Sequence, residues 1–501
     1  MGKTQYRPVL RLLVVSLAVV FLILLASLNA IAAATVTLSA TIGPPTTSVS
    51  VSGSGFPDNT AVDIYFDASD LALAVSGSTG SFSGITLLVP TSAIPGAHWI
   101  TAVAEGTTGT AAQASFTVQT NWAQYRYSPL HHGRNPYENV LTSSTVPTLD
   151  LDWMFAATGA ITSSPAVSGG TVYFGSADDY LYAVNATTGA LVWKFKTGNS
   201  IIDSSPAVVS GTVYVGSTDD YLYAVNATTG AQVWKFKTGA AINSSPAVIN
   251  GTVYIGSTDD SVYAVNASTG AQVWKFATSN QVLSSPAVAQ GVVFVGSYDD
   301  NLYAINATTG AQIWKYTTGG KIFSSPAIID DNVYVGSDDG NLYAINARTG
   351  LLFWKYAGTT GTQFESSPSA YDNLIIVGTD AGYVYSVNAV KGTNNWTLQG
   401  TAAEASSTAI ANGIDYATVG NTVYAVYQLV TASTIWWGYL GGNSISTPVV
   451  ANGVLYITCE DDNLYAFDLN PNGQARVAPP KPNPADLRPD PMLIPDLKTA
   501  R

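Results

Sequence analysis

Cysteine, histidine and basic residues are all scarce in this sequence. The single cysteine, Cys459, excludes an intrachain disulfide, a multi-cysteine zinc site and a CxxC redox pair, so stability must come from packing. The 20 lysines and arginines are outnumbered by 33 aspartates and glutamates, and the net charge of −13 provides no basic patch for the phosphates of nucleic acid. Nucleic-acid binding is therefore disfavoured.

Charged residues make up only 11% of the chain, and helix formers such as Glu, Lys and Met are few. Gly, Ser, Thr, Tyr and Val are abundant instead, which is typical of all-β proteins with many tight turns. A chain of 501 residues also exceeds what one hydrophobic core usually organises. The composition therefore predicts an all-β protein of two or more domains.

The N-terminus has the pattern of an export signal. Lys3, Arg7 and Arg11 precede an apolar run over residues 12–25, and small residues follow up to Ala34. We predict a cleaved signal peptide over residues 1–34, or an N-terminal membrane anchor, since this stretch is about long enough to span a bilayer. Either alternative places the bulk of the protein outside the cytoplasm, secreted or anchored, because positive charge stays inside.

Two further segments flank the central part of the chain. Residues 35–119 contain short alternating runs separated by Gly, Pro, Asp and Asn, which predicts a small β-sandwich. This segment resembles the Ig-like domains of bacterial surface proteins, and that likeness implies a spacer or, alternatively, an adhesive module. Residues 471–501 are rich in proline and lack any hydrophobic period, so we predict a disordered tail.

A repeat with a spacing close to 40 residues dominates residues 149–470, after a lead-in over residues 120–148. Each unit begins with Ser-Ser-Pro or a variant of it, and the eight starts are Ser163, Ser204, Ser244, Ser284, Ser324, Ser366, Ser406 and Ser446. Turn signals divide a unit into four short strands. Four antiparallel strands per repeat predict a blade of an eight-bladed β-propeller.

One tryptophan occurs per unit, on the predicted fourth strand. These residues are Trp153, Trp193, Trp234, Trp274, Trp314, Trp354, Trp396 and Trp436. Trp153 precedes the first full unit, whereas the last unit lacks a following tryptophan. We therefore predict circular closure, in which the strand around Trp153 completes the last blade and leaves no open edge.

The pattern Ala-x-Asn-x-x-Thr-Gly-x-x-x-Trp recurs five times, and its glycines are Gly189, Gly230, Gly270, Gly310 and Gly350. It resembles the tryptophan-docking motif of quinoprotein, or PQQ-type, propellers. The family's usual Asp is Asn here, and the motif is broken in the seventh unit, so docking there should be less regular. The resemblance implies a propeller fold in which these tryptophans and glycines join the blades.

The resemblance leaves the function open, because the same propeller serves PQQ-dependent dehydrogenases and the non-enzymatic β-barrel-assembly lipoprotein BamB. The dehydrogenases add a vicinal cysteine pair, calcium ligands and a catalytic Asp on long inserts, and this chain has no long insert. BamB is lipidated on a cysteine after its signal, and no cysteine lies near Ala34. Neither role transfers directly.

Pairs of aspartates fall in the predicted hairpins between the second and third strands. They are Asp178 and Asp179, Asp219 and Asp220, Asp259 and Asp260, Asp299 and Asp300, Asp338 and Asp339, and Asp461 and Asp462. A propeller places them in a ring on one face. The ring predicts an electronegative docking surface or a cation site, although Asp also suits these turns locally.

Other residues interrupt the repeat on the same predicted face. These are Lys321, Phe323, Phe364, Glu365, Glu404 and Glu460. Acidic and aromatic side chains on one rim suit a binding mouth, although drifting repeats produce similar scatter. The serine pairs should line the upper channel, either to bind a polar ligand or to satisfy backbone groups. The adjacent His131 and His132 lie outside the repeats, and their side chains are expected to diverge.

The sequence thus predicts an extracytoplasmic binding scaffold without a catalytic site, cofactor or metal, which presents a propeller face to a protein, peptide or glycan at the cell envelope. One alternative is an oxidoreductase that holds PQQ and calcium in the central funnel, with Glu365 or Glu404 as the catalytic carboxylate. Another is a structural component of the cell surface. Membrane contact is expected only through the N-terminal segment.

Overall fold

The computed structural model describes residues 33–106, 109–400, 404–427 and 433–469. The predicted Pro-rich tail and all but the last residues of the predicted export segment lie outside these ranges. Within them, no helix is long and apolar enough to cross a membrane. The structure is almost entirely β, as predicted, with one 3₁₀ helix at Val146–Thr148.

The N-terminal domain consists of strands β1 to β8. They are Thr35–Leu38, Ile42–Gly43, Ser48–Ser54, Ala61–Phe66, Ser69–Val75, Phe82–Leu88, Gly96–Ala104 and Ala111–Val118. A three-stranded sheet in the order β1-β3-β6 faces a five-stranded sheet in the order β2-β8-β7-β4-β5. Apolar side chains from both sheets, among them Val51, Ile64 and Phe116, form one core. The predicted sandwich is present, and its assignment as Ig-like stays a prediction.

Eight sheets follow, which we number as blades 1 to 8. Each has four antiparallel strands, and in blade 7 a short fifth strand, Arg134–Asn135, pairs parallel with the innermost strand. Blade 1 has strands Ala166–Ser168, Thr171–Gly175, Tyr180–Asn185 and Leu191–Lys196. Blade 2 has Ala207–Val209, Thr212–Gly216, Tyr221–Asn226 and Gln232–Lys237. Blade 3 has Ala247–Ile249, Thr252–Ser257, Ser261–Asn266 and Gln272–Ala277. Blade 4 has Ala287–Ala289, Val292–Gly296, Asn301–Asn306 and Gln312–Thr317.

The second half of the propeller repeats this order from the innermost to the outermost strand. Blade 5 has Ala327–Ile329, Asn332–Gly336, Asn341–Asn346 and Leu352–Ala357. Blade 6 has Ser369–Tyr371, Leu374–Gly378, Tyr383–Asn388 and Asn394–Gln399. Blade 7 has Ala409–Ala411, Ile414–Val419, Thr422–Tyr427 and Ser433–Tyr439. Blade 8 has Val449–Ala451, Val454–Thr458 and Asn463–Asp468, with Asp150–Ala156 as its outermost strand.

The ring closes at blade 8. The strand Asp150–Ala156 pairs antiparallel with Asn463–Asp468, so the predicted circular closure is confirmed. The innermost strands of consecutive blades are neighbours all the way round, including those of blades 8 and 1. The second and third strands are buried on both sides because each blade lies between two others, and only the outermost strands alternate between exposed and half-buried residues.

Tryptophans join each blade to the next. The indole Nε1 of Trp193 donates to the carbonyl of Ala227 in blade 2 at 2.9 Å, and the ring packs on Gly230 in the same turn. Trp234, Trp274, Trp314 and Trp354 repeat this hydrogen bond, and Trp153 of blade 8 packs on Gly189 of blade 1. Trp436 donates instead to the carbonyl of Leu149, and the Nε1 atoms of Trp153 and Trp396 have no partner among the described residues.

Candidate functional site

A cavity of about 220 Å³ opens on the propeller axis, on the face that carries the hairpins between second and third strands. We call it the funnel. Its wall holds the second hydroxyl residue of seven of the eight serine pairs, and the remaining one, Ser205, is hydrogen-bonded between Ser164 and Ser245. We call the whole set the hydroxyl ring: Ser164, Ser205, Ser245, Ser285, Ser325, Ser367, Ser407 and Thr447. The serine motifs of all eight blades therefore converge on one site.

Hydrogen bonds run from blade to blade around the hydroxyl ring. The backbone N–H of Ser164 donates to the Oγ of Ser205 at 2.9 Å, and Thr447 of blade 8 donates to the Oγ of Ser164 at 2.8 Å. The same bond joins blades 2 to 3, 3 to 4, 4 to 5, 5 to 6 and 6 to 7 at 2.8 or 2.9 Å. Since each of the seven serine hydroxyl oxygens accepts this bond, its own hydrogen is left to donate elsewhere.

The first serine of each pair has a different task. Ser244 accepts a hydrogen bond from the N–H of Gly256 at 2.8 Å and donates to the carbonyl of the same residue at 2.8 Å. Ser163 and Ser366 bond to Gly175 and Gly378 in the same way. The first hydroxyl thus satisfies backbone groups near the end of the second strand, and the second hydroxyl links neighbouring blades. In blades 6 and 7 the first serine, Ser366 or Ser406, lines the funnel as well.

The floor of the funnel comes from residues 120–137 of the lead-in, which we call the plug. The plug contacts the middle residue of the innermost strand in blade after blade. Its bonds reach Val167, Val208, Val248, Val288, Ile328, Ala370, Ile410 and Val450, in that order from blade 1 to blade 8. Because these inner strands are sheet edges, the plug supplies partners for backbone groups that would otherwise line the channel.

The plug carries a fully buried cation. The guanidinium of Arg126 donates to the carbonyls of Thr408, at 2.9 Å, and Pro368, and to the Oγ of Ser369 at 2.6 Å. Burial lowers the pKa of Arg126 to about 10, and burial raises the pKa of the nearby Asp415 to about 7. One residue earlier, Tyr125 lines the funnel and its hydroxyl lies 3.2 Å from the Oγ of Ser367.

The eight blades differ most where they meet the funnel, at the residue immediately before each serine pair. That position lines the cavity in every blade, and it reads Thr162, Asp203, Asn243, Leu283, Phe323, Glu365, Ala405 and Ile445 from blade 1 to blade 8. The surrounding frame, by contrast, is almost the same from blade 1 to blade 5. A uniform scaffold therefore presents eight different side chains to one cavity.

Carboxylates gather on one side of the funnel mouth, in blades 5 to 7. We call this group the acidic arc: Asp338, Glu365, Asp380 and Glu404. Burial, followed by the charges of Asp338, Asp380 and Glu404, raises the pKa of Glu365. Burial also raises the pKa of Asp338, against the opposing effect of Lys321. On the other side, burial and the charge of Glu460 raise the pKa of Asp203, a shift that a hydrogen bond with Thr162 opposes.

The first aspartate of the predicted pairs is held within the frame. In blade 1 the Oδ2 of Asp178 accepts hydrogen bonds from the Tyr182 hydroxyl at 2.7 Å and from the N–H of Thr158, at the end of blade 8, at 3.0 Å. Burial alone would raise the pKa of Asp178, but these bonds outweigh it and hold the pKa below its ordinary value. Each equivalent aspartate accepts a hydrogen bond from the hydroxyl of the tyrosine that follows it by four residues. These aspartates are Asp219, Asp259, Asp299, Asp339 and Asp461.

The second aspartate supplies the left-handed turn conformation, with φ of 73° at Asp179. Asp220, Asp260, Asp300 and Asp462 have φ between 63° and 73°. Blade 5 departs from the predicted pairing by one position. Asp339 there bonds to Tyr343, Gly340 takes the left-handed position with φ of 80°, and Asp338 stands one residue earlier, in the acidic arc.

The other predicted rim residues separate into three groups. Phe323, Glu365 and Glu404 line the funnel, as their place on the rim suggested. Lys321 lies beside it, with its Nζ 4.9 Å from the ring centre of Tyr298, and Glu460 is exposed at the mouth. Phe364 is not on the rim, because it takes the position of Ile322 in blade 5 and packs fully buried against Tyr356 and Tyr385 between blades 5 and 6.

The two adjacent histidines diverge as expected. His131 lies 3.2 Å from the carbonyl of Pro326, and His132 lies 2.6 Å from that of Ile328. The described part of the chain contains no group of three or more His, Cys, Asp or Glu side chains placed to hold a metal ion. Sequence reasoning missed Asp203, Asn243 and Asp380, although alignment of the units on their serine pairs would have shown the first two as departures from the repeat.

Two family models match the chain. The model for the β-propeller of the beta-alanine-activating enzyme covers residues 202–469, and that for the outer membrane protein assembly factor BamB covers residues 137–235. No curated protein matches the chain in sequence.

Among solved structures, BamB from Moraxella catarrhalis is 16% identical with a TM-score of 0.57, over 64% of this chain and 99% of that one. A quinohemoprotein alcohol dehydrogenase from Pseudomonas putida is 16% identical with a TM-score of 0.62, over 74% and 82%. A europium-containing methanol dehydrogenase is 14% identical with a TM-score of 0.60, over 70% and 98%. These likenesses concern the fold, which binding proteins and enzymes share.

Proposed function

The chain is a PQQ-repeat β-propeller that belongs to the family of the beta-alanine-activating enzyme propeller, and from that premise we propose that it is a non-enzymatic binding scaffold outside the cytoplasm. Its partner would be a protein, peptide or glycan at the cell envelope. The observation that carries the proposal is the funnel wall, where a repeated frame presents a different side chain from each blade. Within blades 1 to 5, where the frame is almost constant, the variation is concentrated on this concave rim, which is what recognition of an asymmetric partner requires.

The main alternative is a quinoprotein dehydrogenase, so the fit of its cofactor matters. Pyrroloquinoline quinone is a planar tricarboxylate. Among the described residues that line the funnel there is no lysine, arginine or histidine to receive those carboxylates, whereas Asp203, Glu365, Asp380 and Glu404 would repel them. The described carboxylates are also not grouped as a calcium site would require. The funnel does not fit this cofactor.

The experiment that tests the scaffold proposal is a titration of the purified protein with PQQ and calcium, followed by the quinone absorbance and by dye-linked oxidation of alcohols and sugars. We expect no stoichiometric binding and no turnover. Tight binding with turnover that the Glu365→Gln or Glu404→Gln variant abolishes would replace the scaffold proposal with the dehydrogenase.

The location outside the cytoplasm rests on the sequence of residues 1–34. The family model for BamB, an outer membrane protein assembly factor, supports it. Mass spectrometry of the protein purified from its host should find a mature N-terminus near Thr35 in the case of cleavage, or an intact N-terminus in the membrane fraction in the case of an anchor. Recovery of an intact protein from the cytoplasmic fraction would contradict the proposal.

A further inference from the structure

The funnel carries negative charge that no lysine, arginine or histidine among the described residues of its wall offsets. The acidic arc places carboxylates from three consecutive blades together, and backbone bonds fix them there: the N–H of Gln363 donates to the Oδ1 of Asp380 at 2.7 Å, and the N–H of Glu404 to the carbonyl of Asp380 at 2.8 Å. Like charges held at short range repel one another, and a bound cation would relieve that repulsion.

The chain already places one cation next to the acidic arc. The ammonium of Lys321 lies 4.9 Å from the ring centre of Tyr298, and its charge lowers the otherwise raised pKa of Asp338. The Tyr298 ring in turn packs on Phe323, with ring centres 6.4 Å apart. Carboxylates and aromatic faces side by side are the surroundings that ammonium and guanidinium groups prefer.

Independent of the charges, the wall and the acidic arc hold acceptors without donors. The Oδ1 of Asn243, which lines the funnel, is inaccessible to solvent and accepts no hydrogen bond from the described residues. The Oδ1 of Asp338, which belongs to the acidic arc and does not line the funnel itself, also accepts no hydrogen bond from the described residues. An unpaired buried acceptor costs free energy, so a ligand with N–H donors would be favoured if the Asn243 amide turns its Oδ1 toward the funnel.

We infer that the funnel binds an alkylammonium or guanidinium group, with the charge among the carboxylates of the acidic arc and the alkyl stem against Phe323. This inference rests on the proposed scaffold function and names the chemistry of the group that the funnel receives. A lysine or arginine side chain of a partner protein and a free small amine share that chemistry.

The test is calorimetric titration of the full-length protein at low salt with three probes. These are an acetylated, amidated pentapeptide with one central lysine, the same peptide with norleucine in place of lysine, and cadaverine. We expect the lysine peptide to bind at least about tenfold more tightly than the norleucine peptide, because only the first carries charge. Affinity for cadaverine equal to that for the lysine peptide assigns the site to free amines, and tighter binding of the peptide assigns it to proteins.

Variants locate the site. Glu365→Gln and Asp380→Asn should each weaken binding of the lysine peptide several-fold, whereas Asp372→Asn should leave it unchanged. Asp372 is the matched control because it lies exposed in blade 6 on the opposite face, at a left-handed φ of 50° that Asn also adopts. Glu365→Gln should unfold at the same or a higher temperature than the parent, since it removes repulsion.

Three results would overturn the inference: no binding of either cation, equal binding of the lysine and norleucine peptides, or unchanged lysine-peptide affinity in Glu365→Gln. None of them depends on PQQ or on turnover. Failure of the cation site is therefore distinguishable from failure of the scaffold proposal.

Discussion

Aspartates with the same neighbours in sequence do different work in this protein. Asp178 and its equivalents bond to a tyrosine and to the preceding blade, whereas Asp338, shifted by one position, joins the acidic arc. A lowered pKa in the folded state contributes stability above the unfolded pKa of 3.8, and that stability is lost as the pH falls through the folded value. Five aspartates of the first group have a lowered pKa and therefore favour the folded state at neutral pH and not in acid: Asp178, Asp259, Asp299, Asp339 and Asp461.

Tyr182→Phe tests this role at a single residue. Removal of the hydroxyl that donates to Asp178 should lower the free energy of unfolding at pH 7 by about 1 kcal/mol, and the effect should shrink as the pH falls through the folded pKa of Asp178. The measurement is urea unfolding at pH 7 and at a series of lower pH values. Tyr180→Phe is the control, since this neighbouring ring lies 4.2 Å from the Nζ of Lys194 and its hydroxyl has no hydrogen bond among the described residues. Equal losses in both variants would refute the role.

At the scale of the element, contact between a tryptophan and a glycine joins one blade to the next. Gly270 of blade 3 has φ of 71°, and a Cβ there would lie 2.8 Å from Cδ2 of Trp234 in blade 2. Gly251 of the same blade has φ of 74° with nothing within 4 Å of a Cβ. The two glycines therefore share a left-handed backbone and differ only in their contact with the neighbouring blade.

This difference isolates the contribution of docking. Gly251→Ala should cost about 1 kcal/mol for the left-handed backbone alone. Gly270→Ala should cost about 1–3 kcal/mol more, because it also displaces the Trp234 ring. Chemical unfolding of the two variants measures the difference. Equal destabilisation by Gly251→Ala and Gly270→Ala would show that the Trp234 indole moves aside at no cost. Its packing on Gly270 would then not stabilise the contact between blades.

At the scale of the molecule, the plug links all eight blades through their innermost strands. Arg126→Met would leave the carbonyls of Thr408 and Pro368 without a donor and Asp415 without a counter-charge. We expect a loss of about 3–5 kcal/mol, measured by urea unfolding. Addition of Asp415→Asn should recover part of the loss, because it removes the buried charge. A loss below about 1 kcal/mol would mean that the plug does not support the ring.

The same pair predicts the response of the whole protein to pH. Burial raises the pKa of Asp415 to about 7, so its contribution is complete below the unfolded pKa of 3.8 and is lost as the pH rises through the folded value. The free energy of unfolding should thus fall between pH 5 and pH 8, and Asp415→Asn should reduce that fall. Asp63 in the N-terminal domain shifts in the same direction and would remain in the variant. An identical fall in both proteins would contradict the assignment.

The local pattern of the repeat by itself determined the strands of each blade, the closure of blade 8 and the family. Each hairpin joins residues close in sequence, so turn residues and alternating apolar residues specify its register. The predicted fourth strand around Trp193 and the return of Trp153 to blade 8 both follow from that local pattern.

Only the tertiary structure decided how the funnel is built. The sequence of the plug has no hydrophobic periodicity, and its residues bond to partners far away in sequence, as Arg126 does to Thr408. No local sequence pattern therefore predicts the plug. Phe364 and Phe323 look equivalent in the sequence, because each lies just before a serine pair. Phe364 is one position further from its serine pair and packs in the core, whereas Phe323 lines the cavity. The acidic arc exists because the ring brings loops of successive blades to one axis, where charges spaced along the chain become neighbours.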